Sequence, residues 1–213
     1  LRWDDELLLF DPGEGTQRQM LCAGVSAARL TRVCITHFHG DHCFGLPGVL
    51  QRRAVDRPDT PVDVYFPAEG QVHFERLYHA AMSRPPTSAV PHATRPGHVA
   101  DARTFVLRAV ALDHRVPALG WRVEEPTTRN LLPDRLAAVG LAGPDVGRLV
   151  RDGEVVVGGR RVRIEDVSVP RPGQRFAFVM DTRLCDGAFE LADHADLLVC
   201  EATFLSRDED MAR

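Results

Sequence analysis

The sequence predicts a layered α/β protein with a metal centre along one sheet edge. Three observations carry that prediction. Short apolar runs that read as strands alternate with amphipathic stretches that read as helices. A ligand-type residue stands just past an apolar run four times, at His37, His114, Asp181 and Glu201. And one of those places, Thr36-His37-Phe38-His39-Gly40-Asp41-His42, packs four donors into six residues.

That stretch follows the apolar run Val33-Cys34-Ile35, and a strand that ends in a ligand-dense loop is a rigid support for an ion. His37 and His39 are two apart, so both can point the same way from extended backbone. Gly40 lets the chain turn, so that Asp41 and His42 approach from another side and can hold a second ion. Imidazole with carboxylate suits zinc, with manganese or iron as alternatives. A His-rich loop can also be only a polar turn, but four donors directly after a buried strand point to metal.

Bulk properties exclude several classes. The chain has 213 residues, 44% hydrophobic and 26% charged, enough for one sizeable soluble domain. A net charge of −4 does not advertise nucleic-acid binding, so such a partner needs a local basic patch. All 26 basic residues are Arg, a pattern that reflects coding bias rather than selection for phosphate. No apolar stretch is long enough to span a membrane. The 5 Cys are scattered without a Cys-x-x-Cys pair or a recognisable secretory leader, which predicts reduced thiols in a cytoplasm. Leu1 in place of Met and the charged run up to Arg213 read as cut ends of a longer protein.

In chain order, residues 7–10 are a short strand that runs into the turn Asp11-Pro12-Gly13-Glu14-Gly15-Thr16-Gln17, a candidate wall of the site. Thr16 is expected to cap a helix through about Gly24, with Met20 and Leu21 inward. A helix follows from Phe44, and Arg52, Arg53 and Arg57 after it read as a solvated end or a phosphate-facing cluster. Residues 62–66 alternate like a strand. Residues 71–82 read as an amphipathic helix with Val72, Leu77 and Ala81 inside, and its His73 and His79 read as non-ligands. Residues 83–98 read as a loop, with no ligand-like spacing at His92 or His98. A strand over 104–112 leads to Asp113-His114, and Gly120–Val123 returns as its hairpin partner. Residues 126–153 are Pro-, Gly- and Arg-rich with too little apolar content for a second core, and read as a projecting arm. Spaced Arg on an arm suits phosphate, although a solvated hairpin is the alternative. Strands follow over 155–157, 162–169, 176–180 and 197–200. Cys185 and Cys200 read as buried, inert thiols.

With these residues in hand, the chain resembles the metallo-β-lactamase superfamily, whose signature is His-x-His-x-Asp-His. Four stretches make it similar, more narrowly, to the ribonuclease Z family. They are Gly13 to Gln17; Thr36 to Asp41 continuing into Phe44-Gly45-Leu46-Pro47-Gly48; Asp113-His114 with Leu119-Gly120-Trp121-Arg122; and Asp181-Thr182-Arg183 with Glu201-Ala202-Thr203-Phe204.

The resemblance implies an αβ/βα four-layer sandwich, incomplete at both termini, in a single domain over 1–213 with 126–153 as an arm that grips tRNA. It implies two zinc ions per subunit: His37, His39 and His114 on one, Asp41 and His42 on the other, and Asp181 bridging. Asp41 would also serve as general base. A homodimer in the cytoplasm that removes the 3′ trailer from precursor tRNA is implied as well. The family's last zinc-ligating His falls outside these residues, and Cys200 stands where a His often precedes Glu-Ala-Thr. Two rival functions follow. One is a superfamily hydrolase of a small phosphodiester or ester, which has no use for the arm. The other is a non-catalytic RNA-binding or dimer-forming remnant, which would not bind the full complement of metal.

Overall fold

A computed structural model describes residues 1–56, 61–81, 89–204 and 207. The chain divides into two compact units, the larger made of Leu1–Glu124 with Arg175–Arg213, the smaller of Glu125–Gln174.

In the larger unit the chain runs β1 (Arg2–Trp3), β2 (Glu6–Phe10), α1 (Thr16–Cys22), β3 (Arg32–Cys34), α2 (Gly40–Cys43), α3 (Leu46–Asp56), β4 (Val62–Pro67), α4 (Gln71–Tyr78), β5 (Ala89–Thr94), β6 (Gly97–Asp101), β7 (Val106–Leu112) and β8 (Ala118–Glu124). The smaller unit follows with β9 (Thr128–Leu131), α5 (Pro133–Ala138), α6 (Pro144–Asp152), β10 (Glu154–Val157), β11 (Arg160–Arg163) and β12 (Ser168–Arg171). The chain then completes the larger unit with β13 (Arg175–Val179), α7 (Asp186–Ala192) and β14 (Leu197–Cys200).

Two five-stranded sheets order as β1-β2-β3-β4-β5 and β14-β13-β8-β7-β6. In the first, β2 to β5 run parallel, each joined by a crossover, so the loops after β2, β3 and β4 gather at one sheet edge. The second is antiparallel except for the β13–β14 pair. One core, with Ile35, Leu46, Val49, Phe66 and Phe74 buried, packs the helices on the outer face of the first sheet. A second core, with Leu8, Tyr65, Phe105, Trp121 and Phe176, fills the space between the sheets. A third seats Leu191 of α7 against Ala177 and Val179. Helix, sheet, sheet, helix is the four-layer order expected.

The local readings depart from the structure in instructive places. Gly15, not Thr16, is the N-cap of α1, and the Thr16 hydroxyl donates to the Gly13 carbonyl at 2.8 Å. Met20 is buried but Leu21 is 62% exposed. α4 ends at Tyr78, short of the expected 82; its buried residue is Phe74, Val72 faces out, and Ala81, past the helix, is exposed. Arg53 is neither solvated nor phosphate-facing: it is 1% exposed and donates to the carbonyls of Leu30 and Pro61. Arg57 lies outside the described residues. Residues 89–94 and 97–101 are strands rather than loop. Pro91 is tolerated because β5 is an edge strand, where a missing N–H breaks no second ladder. The stretch 162–169 is interrupted by a 3-10 turn over Ile164–Val167.

The smaller unit extends beyond the expected 126–153. It has its own buried cluster of Leu141, Leu149, Val162 and Val167. The last two come from β11 and the turn after it, which is why 126–153 alone looked too thin for a core. Its ends meet through Glu125 N donating to Gln174 O at 2.9 Å.

Candidate metal centre

The centre is built from the ends of three strands and one short helix. His37 follows β3 and is completely buried. His39 precedes α2, whose first turn carries Asp41 and His42. His114 lies in the turn between β7 and β8, and Asp181 follows β13. The backbone ties these strand ends together. Leu119 N donates to Thr36 O at 2.9 Å, which joins the second sheet to the metal loop. Arg183 N donates to Asp113 O at 2.8 Å, which joins the Asp181 loop to the His114 turn.

His37, His39, His114 and Asp181 each present one donor atom, all within 4.8 Å of one another. His37 Nε2 lies 2.9 Å from His39 Nδ1, and His114 Nε2 lies 3.2 Å from the same atom. Asp181 Oδ2 stands 3.7 Å from His37 Nε2 and 3.8 Å from His114 Nε2. A tetrahedral zinc with bonds of about 2.0–2.1 Å holds its donors about 3.3–3.4 Å apart. The observed separations straddle that value, so the residues fit a zinc-type ion.

The other carboxylate oxygen of Asp181, Oδ1, lies 3.1 Å from His42 Nε2, and Asp41 Oδ2 lies 3.4 Å from the same nitrogen. Asp41 and His42 lie outside the four-donor group, although the His42 ring centroid is 4.2 Å from that of His37, and Asp181 faces both sides. The Asp41 side chain is 78% exposed, unlike the histidines around it.

Sequence reasoning did not single out Asp11, the residue that organises this arrangement. It ends β2 with φ 43°, a conformation few non-glycine residues adopt, and this turns its carboxylate back over the end of β3. Asp11 Oδ1 accepts from Thr36 N and Oδ2 from Thr36 Oγ1, both at 2.7 Å. Oδ2 also faces His42 Nδ1 at 2.8 Å. Because the Thr36 hydroxyl gives its proton to Asp11, it accepts from His37 Nδ1 at 3.0 Å, leaving the lone pair of His37 on Nε2, towards the site. His42 likewise donates through Nδ1 and keeps Nε2 for the site. The signal that could have found Asp11 is the one that found His114: a polar residue just past an apolar strand.

Burial, and then neighbouring His42, push His37 down to about 4, so it is neutral at pH 7. The hydrogen bond that His42 donates to Asp11 holds it above the usual imidazole range. Cys43 lies close by, but burial pushes its thiol up to about 11 and it donates to the His39 carbonyl at 3.1 Å. Cys185 is half-buried and Cys200 exposed, so neither is the buried thiol expected, and neither joins the donor group. His73 stacks on Phe38, His92 pairs with Asp63 and His98 with Asp101, all outside the donor group, as their spacing implied.

A family model described as the metallo-beta-lactamase superfamily matches residues 2–174. Ribonuclease Z of Nocardia farcinica is 54% identical over all of this chain and 70% of its own length. Ribonuclease Z of Salinispora arenicola is 53% identical over all of this chain and 69% of its own. Among solved structures, human tRNase Z, short form, superposes with a TM-score of 0.67 at 25% identity, covering 99% of this chain and 72% of that one. Relatives of that name match the whole chain at 53–54% identity and the superfamily model covers most of it, so the chain belongs to the ribonuclease Z family of the metallo-beta-lactamase superfamily.

Proposed function

We propose that this chain is a zinc-dependent endoribonuclease that removes the 3′ trailer from precursor tRNA. One observation carries the reading beyond family membership. The two oxygens of Asp181 address two separate donor groups, Oδ2 the His37/His114 side and Oδ1 the His42 side. A carboxylate so placed is suited to bridging two ions about 3.5–4 Å apart.

In this reading His37, His39 and His114 would hold one zinc ion and Asp41 and His42 a second, with Asp181 facing both groups. When bound, zinc lowers the pKa of water towards about 7 and offsets negative charge at phosphorus. Asp41, the most exposed of these acids, takes the proton of the attacking water as general base. The water oxygen bonds to phosphorus, the bond from phosphorus to the 3′ oxygen of the tRNA breaks, and that oxygen leaves as a hydroxyl. The trailer keeps the 5′ phosphate.

The unit Glu125–Gln174, including the stretch 126–153, would contact the tRNA backbone. Exposed Arg160, Arg161 and Arg163 on β11 add to the Arg of that stretch, and Arg–phosphate contacts are independent of sequence. A homodimer and a cytoplasmic location, implied by the family, complete the proposal. No helix among the described residues is long and apolar enough to cross a membrane.

The deciding experiment is cleavage of a 3′-end-labelled precursor tRNA by the purified chain with added zinc. A single zinc-dependent cut at the trailer boundary, missing in Asp41→Ala, supports the reading. Turnover of a small phosphodiester that survives deletion of 126–153, with no tRNA cut, would establish the small-substrate hydrolase instead.

A further inference from the structure

The two donor groups of the centre are held by different devices, and one of these rests on a glycine. The turn after β2 meets α2 and the residues just after it at three points. Asp11 Oδ2 faces His42 Nδ1 at 2.8 Å, and Gly45 N donates to the Pro12 carbonyl at 2.8 Å. The third point is Gly13, packed so tightly that a Cβ there would lie 1.9 Å from the Asp41 carbonyl oxygen. From the other side, a Cβ on Gly45 would lie 2.0 Å from the Gly13 carbonyl oxygen.

Gly13 is not in the left-handed region, so its backbone suits any residue, and what requires glycine is the absent side chain. The atom it would strike is backbone of the helix that carries Asp41 and His42, so relief requires α2 to move. His37 and His114 do not depend on that contact, and of the three histidines only His39, the N-cap of α2, adjoins the helix that moves. His37 is fixed by β3 and Thr36, His114 by the β7–β8 turn and its bond to the Asp181 loop.

We infer that Gly13 is a positioning residue for the Asp41/His42 half of the metal centre, setting where that half stands relative to the three histidines. This rests on the two-ion reading above. A methyl group at position 13 would therefore weaken one of two zinc sites selectively, rather than loosen the fold at large.

Gly15, two residues on, supplies the contrast. It has φ +78° and nothing within 4 Å of a built Cβ, so Gly15→Ala strains the same turn without touching α2. The test is a zinc titration of wild type, Gly13→Ala, Gly45→Ala and Gly15→Ala against a chromophoric chelator, with thermal melts alongside. Wild type should show two affinity classes. Gly13→Ala and Gly45→Ala should weaken one class by about tenfold or more, the loss typical when support around a ligand is disturbed, and the other distinctly less. Gly15→Ala should melt earlier with both classes as in wild type. Two unaltered classes in Gly13→Ala, or equal loss of both, overturns the positioning role while leaving two ions in place. A single class in wild type overturns the two-ion reading itself, and this inference with it.

Discussion

The two halves of the metal centre differ in what holds them. Three histidines, His37, His39 and His114, gather within hydrogen-bonding range of one another, from the end of β3 and the turn between β7 and β8. Sheet ends place His37 and His114, His39 caps α2, and burial keeps His37 neutral. Asp41 and His42 belong instead to a four-residue helix, too short for stability of its own. They are placed by what presses on that helix: Asp11, Pro12 and Gly13. One half is thus set by strand pairing, the other by a turn packed against a helix, and the two should fail differently.

The largest effect is expected from breaking the first half. His37→Ala removes a completely buried donor, and metal analysis should find that zinc gone and cleavage at background, as with a strong chelator on wild type. Asp41→Ala should cost about 10²–10⁴-fold in turnover, the range for a lost general base, with the melt nearly unchanged because the side chain is 78% exposed. Substantial residual turnover would refute its role. Asp11→Asn keeps the shape but loses the charge beside His42. It should cost about 10–100-fold in zinc affinity, measured by chelator competition, and in both halves, because Asp11 holds His42 directly and His37 through Thr36. The smallest effect on the centre should come from Leu149→Ala in the unit Glu125–Gln174. Emptying a site with 0% exposure costs about 2–5 kcal/mol of that unit's stability, read in a denaturation curve, while zinc content stays as in wild type.

What could be read from the sequence follows the same division. His37, His39, Asp41 and His42 are near neighbours in the chain, so their spacing alone brings them into one loop. His114 and Asp181 are distant in sequence but share the position just past an apolar strand, and parallel and antiparallel pairing carries those ends to one edge. Asp11 was hidden because its role needs a contact spanning 31 positions and an unusual φ, neither of which leaves a periodic trace. Arg53 was hidden because charge normally argues exposure, whereas its guanidinium found two carbonyls inside. Strands β5 and β6 were missed because Pro91 and the glycine at 97 speak against strands, although a sheet edge accepts both. The smaller unit's core was missed because two of its four buried residues, Val162 and Val167, lie beyond residue 153, where the expected arm ended.

Cys43 has a consequence for which ions the centre admits. Its sulfur belongs to the residue next to His42, yet burial pushes the thiol up to about 11 and its S–H is committed to the His39 carbonyl. A thiol in that state does not ligate, since only the thiolate does. An incoming ion therefore meets imidazole nitrogens and carboxylate oxygens alone. Donors of that kind serve zinc and manganese and offer little to copper(I), so the packing of one small side chain acts as a filter on metal identity.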